Sequence, residues 1–143
     1  MSELLLRAGW SDPDLIEIEA EVSFDSWGGY ERAYVTRGEL AAFADALDAV
    51  AGGGTEASLI GGQHDLSYVE LRVYEYGGAR RLAVVVAMGR AGNGRSQWPH
   101  GETCLRFAMP IERGTLPGFA KDIRRIVTTD KGEATIPVLN SWP

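Results

Sequence analysis

The chain has 143 residues, 45% of them hydrophobic and 24% charged, a balance that suits one folded domain and excludes a wholly disordered segment. Fourteen Lys and Arg against twenty Asp and Glu leave a formal charge of -6, which repels phosphate backbones and argues against general nucleic-acid binding. Cys104 is the only cysteine, so no intrachain disulfide forms; no apolar run approaches the roughly 18 residues of a membrane span, and Leu4-Leu5-Leu6 is too short for a signal-peptide core, so the expected address is cytoplasmic.

Residues 1–14 carry little periodicity and are expected to be an extended tail. From Leu15 to Phe24, Ile16, Ile18, Ala20, Val22 and Phe24 alternate with Glu17, Glu19, Glu21 and Ser23, the period of a half-buried strand. Asp25 to Gly29 supplies turn chemistry, and Tyr30 to Val35 reads as the returning strand of a hairpin. Thr36 stands three residues before Glu39, the spacing of a capping box, so a helix should begin there. Leu40, Phe43, Leu47 and Val50 give it one apolar stripe, and Gly52-Gly53-Gly54 should end it.

A short apolar segment, Ala57 to Ile60, leads through Gly61 to Asp65 into a strand in which Val69, Leu71 and Val73 alternate with Tyr68, Glu70, Arg72 and Tyr74. Gly77-Gly78 suits a tight hairpin turn before Arg80 to Met88, whose inward set is Leu82, Val84, Val86 and Met88. Gly89 to Gly101 is rich in glycine and reads as the longest loop. Leu105, Phe107 and Met109 form a further strand stopped by Pro110. Leu116, Phe119, Ile123, Ile126 and Val127 then mark a second helix, with Thr115 as its cap and Pro117 in its first turn. Pro137 confines the tail around Ile136 and Val138 to an edge strand or a docked extended segment.

The expected fold is therefore α+β: an antiparallel sheet of about five to seven strands packed against two amphipathic helices. It forms a single domain over residues 1–143, with 1–14 and 129–143 as extended tails.

Signals for chemistry are sparse. His64, His100 and Cys104 are the only imidazoles and thiol, fewer convergent ligands than a structural zinc site uses, so no metal and no cofactor is expected. Gly89 to Arg95 has the glycines of a phosphate loop but neither its Lys-Ser or Lys-Thr ending nor a helix after it. No Gly-x-Ser-x-Gly elbow is present, and the chain reads as a non-enzyme with no catalytic residues. Glu17, Glu19 and Glu21 should line one strand face at intervals of about 6.5–7 Å, either as a solvated surface or as a binding face. Trp27, Tyr68 and Tyr74 fall outward or in turns and are the aromatic anchors expected of an interface, unless the tail carrying Trp142 covers them.

The segment Tyr34-Val35-Thr36-Arg37-Gly38-Glu39-Leu40-Ala41-Ala42-Phe43-Ala44-Asp45-Ala46-Leu47, the two valine-rich strands and Leu116-Pro117-Gly118-Phe119-Ala120-Lys121-Asp122-Ile123 resemble small bacterial domains related to the WapI-type immunity proteins. The resemblance runs from Leu15 to Val127. It implies a non-catalytic protein that binds and neutralises a polymorphic toxin domain inside the producing cell; the acidic strand adds the expectation of a basic partner, charge and hydropathy that of no nucleic acid and no membrane, and the chain is expected to be a monomer or homodimer. The alternative is a structural or regulatory homodimeric module formed through a sheet edge or the tyrosine face.

Overall fold

Local sequence pattern accounts for most of the elements in residues 2–63, 67–77, 81–90 and 103–143, the parts of the chain that the computed structural model describes. In chain order they are β1 (Glu3–Ser11), β2 (Leu15–Phe24), β3 (Trp27–Thr36), α1 (Arg37–Ala51), β4 (Glu56–Gln63), β5 (Ser67–Tyr76), β6 (Arg81–Arg90), β7 (Thr103–Ile111), a 3-10 turn (Arg113–Thr115), α2 (Leu116–Thr129) and β8 (Glu133–Pro137). The strands form one 8-stranded sheet in the order β7-β6-β5-β4-β3-β2-β1-β8, and every neighbouring pair is antiparallel.

The α+β class and the two helices follow the expectation, but the sheet exceeds five to seven strands. The added strand is β1, expected to be a tail. It lies between β2 and β8, with Leu4 opposite Val22 on one side and Ile136 on the other. Its own alternation is too short to announce a strand, and partners on both edges stabilise it instead. The turn before β3 is also tighter than expected: only Asp25 and Ser26 separate the strands, with Asp25 at φ 57, and Trp27 to Gly29 already belong to β3.

Connectivity repeats itself. The chain runs β1-β2-β3-α1-β4 and then β5-β6-β7-α2-β8, two units of three strands, a helix and a returning strand. Ladders β4–β5 and β8–β1 join the units. Among the described residues, the returning strand of each unit meets the third strand only narrowly. Tyr34↔Gly62 is the pair that joins β3 to β4, and just past β8 the Leu139 N–H donates to the Pro110 carbonyl at 2.9 Å. The sheet thus curls until its two edges meet, leaving two narrow seams.

Helices fill the inside of the curl. Ile16, Ile18, Leu71, Val73, Val84, Val86, Met109 and Ile136 meet Leu40, Phe43 and Leu47 of α1 and Leu116, Phe119 and Ile123 of α2 in one buried cluster. α1 begins in the expected capping box: the Thr36 hydroxyl accepts from the Glu39 N–H at 3.0 Å, and the Glu39 carboxylate accepts from the Thr36 N–H at 3.1 Å. α2 has Thr115 at its N-cap and Pro117 in its first turn as expected, but the Thr115 hydroxyl donates back to the Glu112 carbonyl at 2.6 Å and makes no capping bond to the helix. Arg124 ties the helices together through Asp45 at 2.8 Å and Asp48 at 2.6 Å.

Beyond β8 the C-terminal segment crosses the seam between β7 and β8. The Val138 N–H donates to the Ser2 carbonyl at 3.0 Å, and Trp142 stands edge-on to Tyr76 with ring centroids 5.4 Å apart. No helix among the described residues is long and apolar enough to cross a membrane.

Candidate functional site

The acidic row lies on the outer face of the sheet, as the alternation of β2 requires. Its neighbours were not legible from β2 alone. In register, Glu17 stands beside Tyr34, Glu19 beside Arg32 and Glu21 beside Tyr30 of β3; on the β1 side Glu19 stands beside Arg7 and Glu21 beside Leu5. Arg7 reaches Glu19 at 3.8 Å and Glu133 of β8 at 3.5 Å.

The phenols of Tyr30 and Tyr34 interact with this row. Desolvation first, then a hydrogen bond with Glu19 and its negative charge, holds the Tyr30 hydroxyl above the ordinary tyrosine range. Tyr34 is raised as well, chiefly by desolvation, with Glu17 adding its charge and a hydrogen bond.

One irregularity reshapes this face. The β1–β2 register passes from Ala8↔Ile18 to Ser11↔Ile16, so two residues, Gly9 and Trp10, stand opposite Glu17 alone. A bulge of this kind reverses the inward or outward sense of the residues beyond it. Trp10, which simple alternation would turn inward with Leu4 and Leu6, instead meets Tyr34 edge-on at 5.9 Å and remains 55% exposed. Gly9 leaves room for the Glu17 carboxylate, which a Cβ at that position would displace.

The result is an aromatic and acidic surface. Glu3, Glu17, Glu19, Glu21 and Glu133 belong to the outer rows of β8, β1 and β2, against Arg7 and Arg32 of β1 and β3; five carboxylates and two guanidiniums leave a charge of 2 − 5 = -3. Trp10, Tyr30 and Tyr34 stand beside them.

The remaining aromatic positions separate from this group. Trp27 is exposed, but the two-residue period sets it with Phe24 on the inward sense, at the tip of the β2–β3 hairpin. Tyr68 flanks Gly62 on the outer face, two strands from Tyr34 with Gly62 of β4 between them. Tyr74 belongs to a separate cluster: it tilts against Tyr76 at 6.4 Å, lies beneath Arg72 at 5.9 Å, and adjoins the Tyr76–Trp142 contact.

No family model, curated protein or solved structure matches the chain.

A second feature escaped sequence reading. Glu31 shares the inward sense of Ala33 and Val35, and its side chain is 7% exposed. Its Oε2 accepts from Arg90 Nε at 2.9 Å and its Oε1 from the Arg32 N–H at 3.0 Å. The bond and the charge of Glu31 also raise the Arg90 pKa. The pair borders a cavity of about 360 Å³ lined by Gly29, Met88, Cys104 and Leu105. A Cβ at Gly29 would run into the Leu105 side chain, which would have to shift. With its carboxylate engaged by a guanidinium and a backbone N–H, Glu31 closes this end of the curl by an ion pair. A carboxylate on the apolar sense of a strand was the available signal; its partner, far along the chain, was not.

Among the described residues no three His, Cys, Asp or Glu side chains gather as a metal site. His64, His100 and the glycine-rich residues 91–101 lie outside the described residues, while Arg90 ends β6 and Cys104 is exposed on β7.

Proposed function

We propose that the chain is a non-catalytic binding protein whose outer face over β1, β2 and β3 docks a basic protein partner, in the manner of an immunity protein that neutralises a toxin domain in the cytoplasm. The observation that carries this reading is the bulge that holds Trp10 outward against Tyr34 beside Glu17. An exposed indole beside Glu17, at one end of the acidic row, supplies apolar contact area, while the carboxylates steer and orient a cationic surface. Carboxylates already bonded to tyrosines and to Arg7 lose little freedom on binding, which lowers the cost of association.

The test is the dissociation constant of the chain with toxin domains encoded in its genetic neighbourhood. Changing Glu17, Glu19 and Glu21 together to Lys should weaken the complex by more than about tenfold and remove most of its salt dependence. Trp10→Ala should weaken it by about tenfold or more, with unchanged salt dependence. Affinity that ignores both changes in correctly folded protein would remove this face from consideration.

A further inference from the structure

We infer that the groove between α1 and the open edge of β4 accepts an extended basic peptide segment of a partner protein as an added strand. The groove begins where the β3–β4 seam ends. Gly61 lets β4 come close to β3; a Cβ there would lie 2.9 Å from Val35 Cγ1 and 3.1 Å from the Tyr34 carbonyl oxygen. β3 runs two residues past the Tyr34↔Gly62 pair, to Thr36, where the Thr36 N–H is taken by the Glu39 carboxylate and the chain turns into α1. Among the described residues, Glu56 to Ile60 therefore have β5 on one side and no strand on the other.

Ladder geometry says where their backbone groups point. The Glu75 N–H donates to the Thr55 carbonyl, so Thr55 and the alternate residues Ala57, Leu59 and Gly61 bond toward β5. Glu56, Ser58 and Ile60 are the other set, with N–H and C=O directed away from β5. Gly62, the next of that set, is the residue that pairs with Tyr34, as this alternation requires.

Opposite the edge, α1 presents Ala42, Phe43 and Ala46, and the shallow, open depression between them measures about 500 Å³. Two alanines on the helix leave the room that larger side chains would fill. Ile60 is 63% exposed beside it. An unpaired strand edge facing a small-residue helix surface is the geometry in which peptides bind by strand addition, the backbone supplying hydrogen bonds and alternate side chains supplying selectivity.

Charge decides the class of segment. Glu39 and Glu56 line the groove, Glu56 already ion-paired with Arg72 of β5 at 2.6 Å, within a chain of net charge -6. Lys or Arg on the added strand meets complementary potential. A second copy of the chain is a poor occupant, because its own β4 arrives already flanked by α1. The groove is separate from the Trp10 face, and either can fail without the other.

The probe is a set of capped heptapeptides alternating Lys or Arg with Val, Ile, Leu, Thr or Ala, observed through the amide resonances of the full chain. Binding should shift the Ser58 and Ile60 amides and slow their hydrogen exchange by about tenfold or more. N-methylating the peptide along its bonding edge should weaken binding by about tenfold, since backbone hydrogen bonds are lost. Ile60→Pro should weaken the unmethylated peptide similarly, and if that variant does not fold, the methylated comparison on the unaltered chain decides. Three results overturn the inference: no binding by any peptide at millimolar concentration, shifts confined to the Glu17–Glu21 face, or equal affinity for methylated and unmethylated peptides. Protection of Ser58 and Ile60 that grows with protein concentration alone would also overturn it, by assigning the edge to a second copy.

Discussion

At the seam between β7 and β8, Pro110 and Pro137 turn their missing N–H positions toward the gap, whereas the edge of β4 at the other seam carries Ser58 and Ile60 with N–H groups intact. The direction at the β7–β8 seam comes from two bonds: the Val138 N–H reaches Ser2 on the β1 side, and the Leu139 N–H reaches the Pro110 carbonyl on the β7 side. Prolines on a strand edge block further strand pairing. The tail then crosses over, with Trp142 on Tyr76 and Arg81 donating to the Pro143 carbonyl at 3.3 Å. Two units of the same connectivity are thus finished in opposite ways, one sealed by the chain's own end and one left with a strand edge beside a helix. Side-chain and backbone chemistry at a few positions separates them, not topology.

That contrast can be broken by stability measurements. The largest difference is expected between Ile136→Ala and Ile60→Ala in urea unfolding. Ile136 is fully buried at the sealed side, and its truncation should cost about 2–5 kcal/mol. Ile60, exposed on the open edge, should cost no more than about 0.5 kcal/mol. Equal losses would mean that the β4 edge is covered by something else in solution.

Gly61→Val sharpens the comparison at the point where the open seam is joined. The added side chain meets Val35 and the Tyr34 backbone, and overpacking of this kind should cost about 1–3 kcal/mol. A neutral result would show that β3 and β4 already separate there. Smaller still, Trp142→Ala should remove about 0.5–1.5 kcal/mol from the aromatic contact with Tyr76 and speed exchange of the Leu139 amide while leaving Ser58 unaffected. If both amides respond alike, the seams are coupled and the contrast between them fails.

How far the sequence could be read depended on whether the deciding contact was local. α1 was legible throughout, because its capping box and its apolar stripe lie within a few turns of one another. The Glu17–Glu21 row was legible for the same reason, since strand alternation is a nearest-neighbour property. Ile18, Phe43, Leu71 and Val84, whose joint burial the whole reading required, share one core cluster. Trp10 could not be placed, because its outward sense comes from a bulge that exists only against Glu17 of another strand. Thr115 holds the N-cap position that the sequence assigns it, but its hydroxyl donates to the preceding Glu112 carbonyl, a choice that the sequence does not announce.

By itself, then, the sequence determined the inward and outward sense of most strand residues, the two helices, the negative charge and the α+β class, all consequences of periodicity and composition. Tertiary structure alone decided that β1 is a strand between β2 and β8, that Glu31 meets Arg90, and that one seam is sealed while the other stays open. Those outcomes depend on residues brought together across long stretches of chain, where the free energy comes from pairing and packing that no short window of sequence contains.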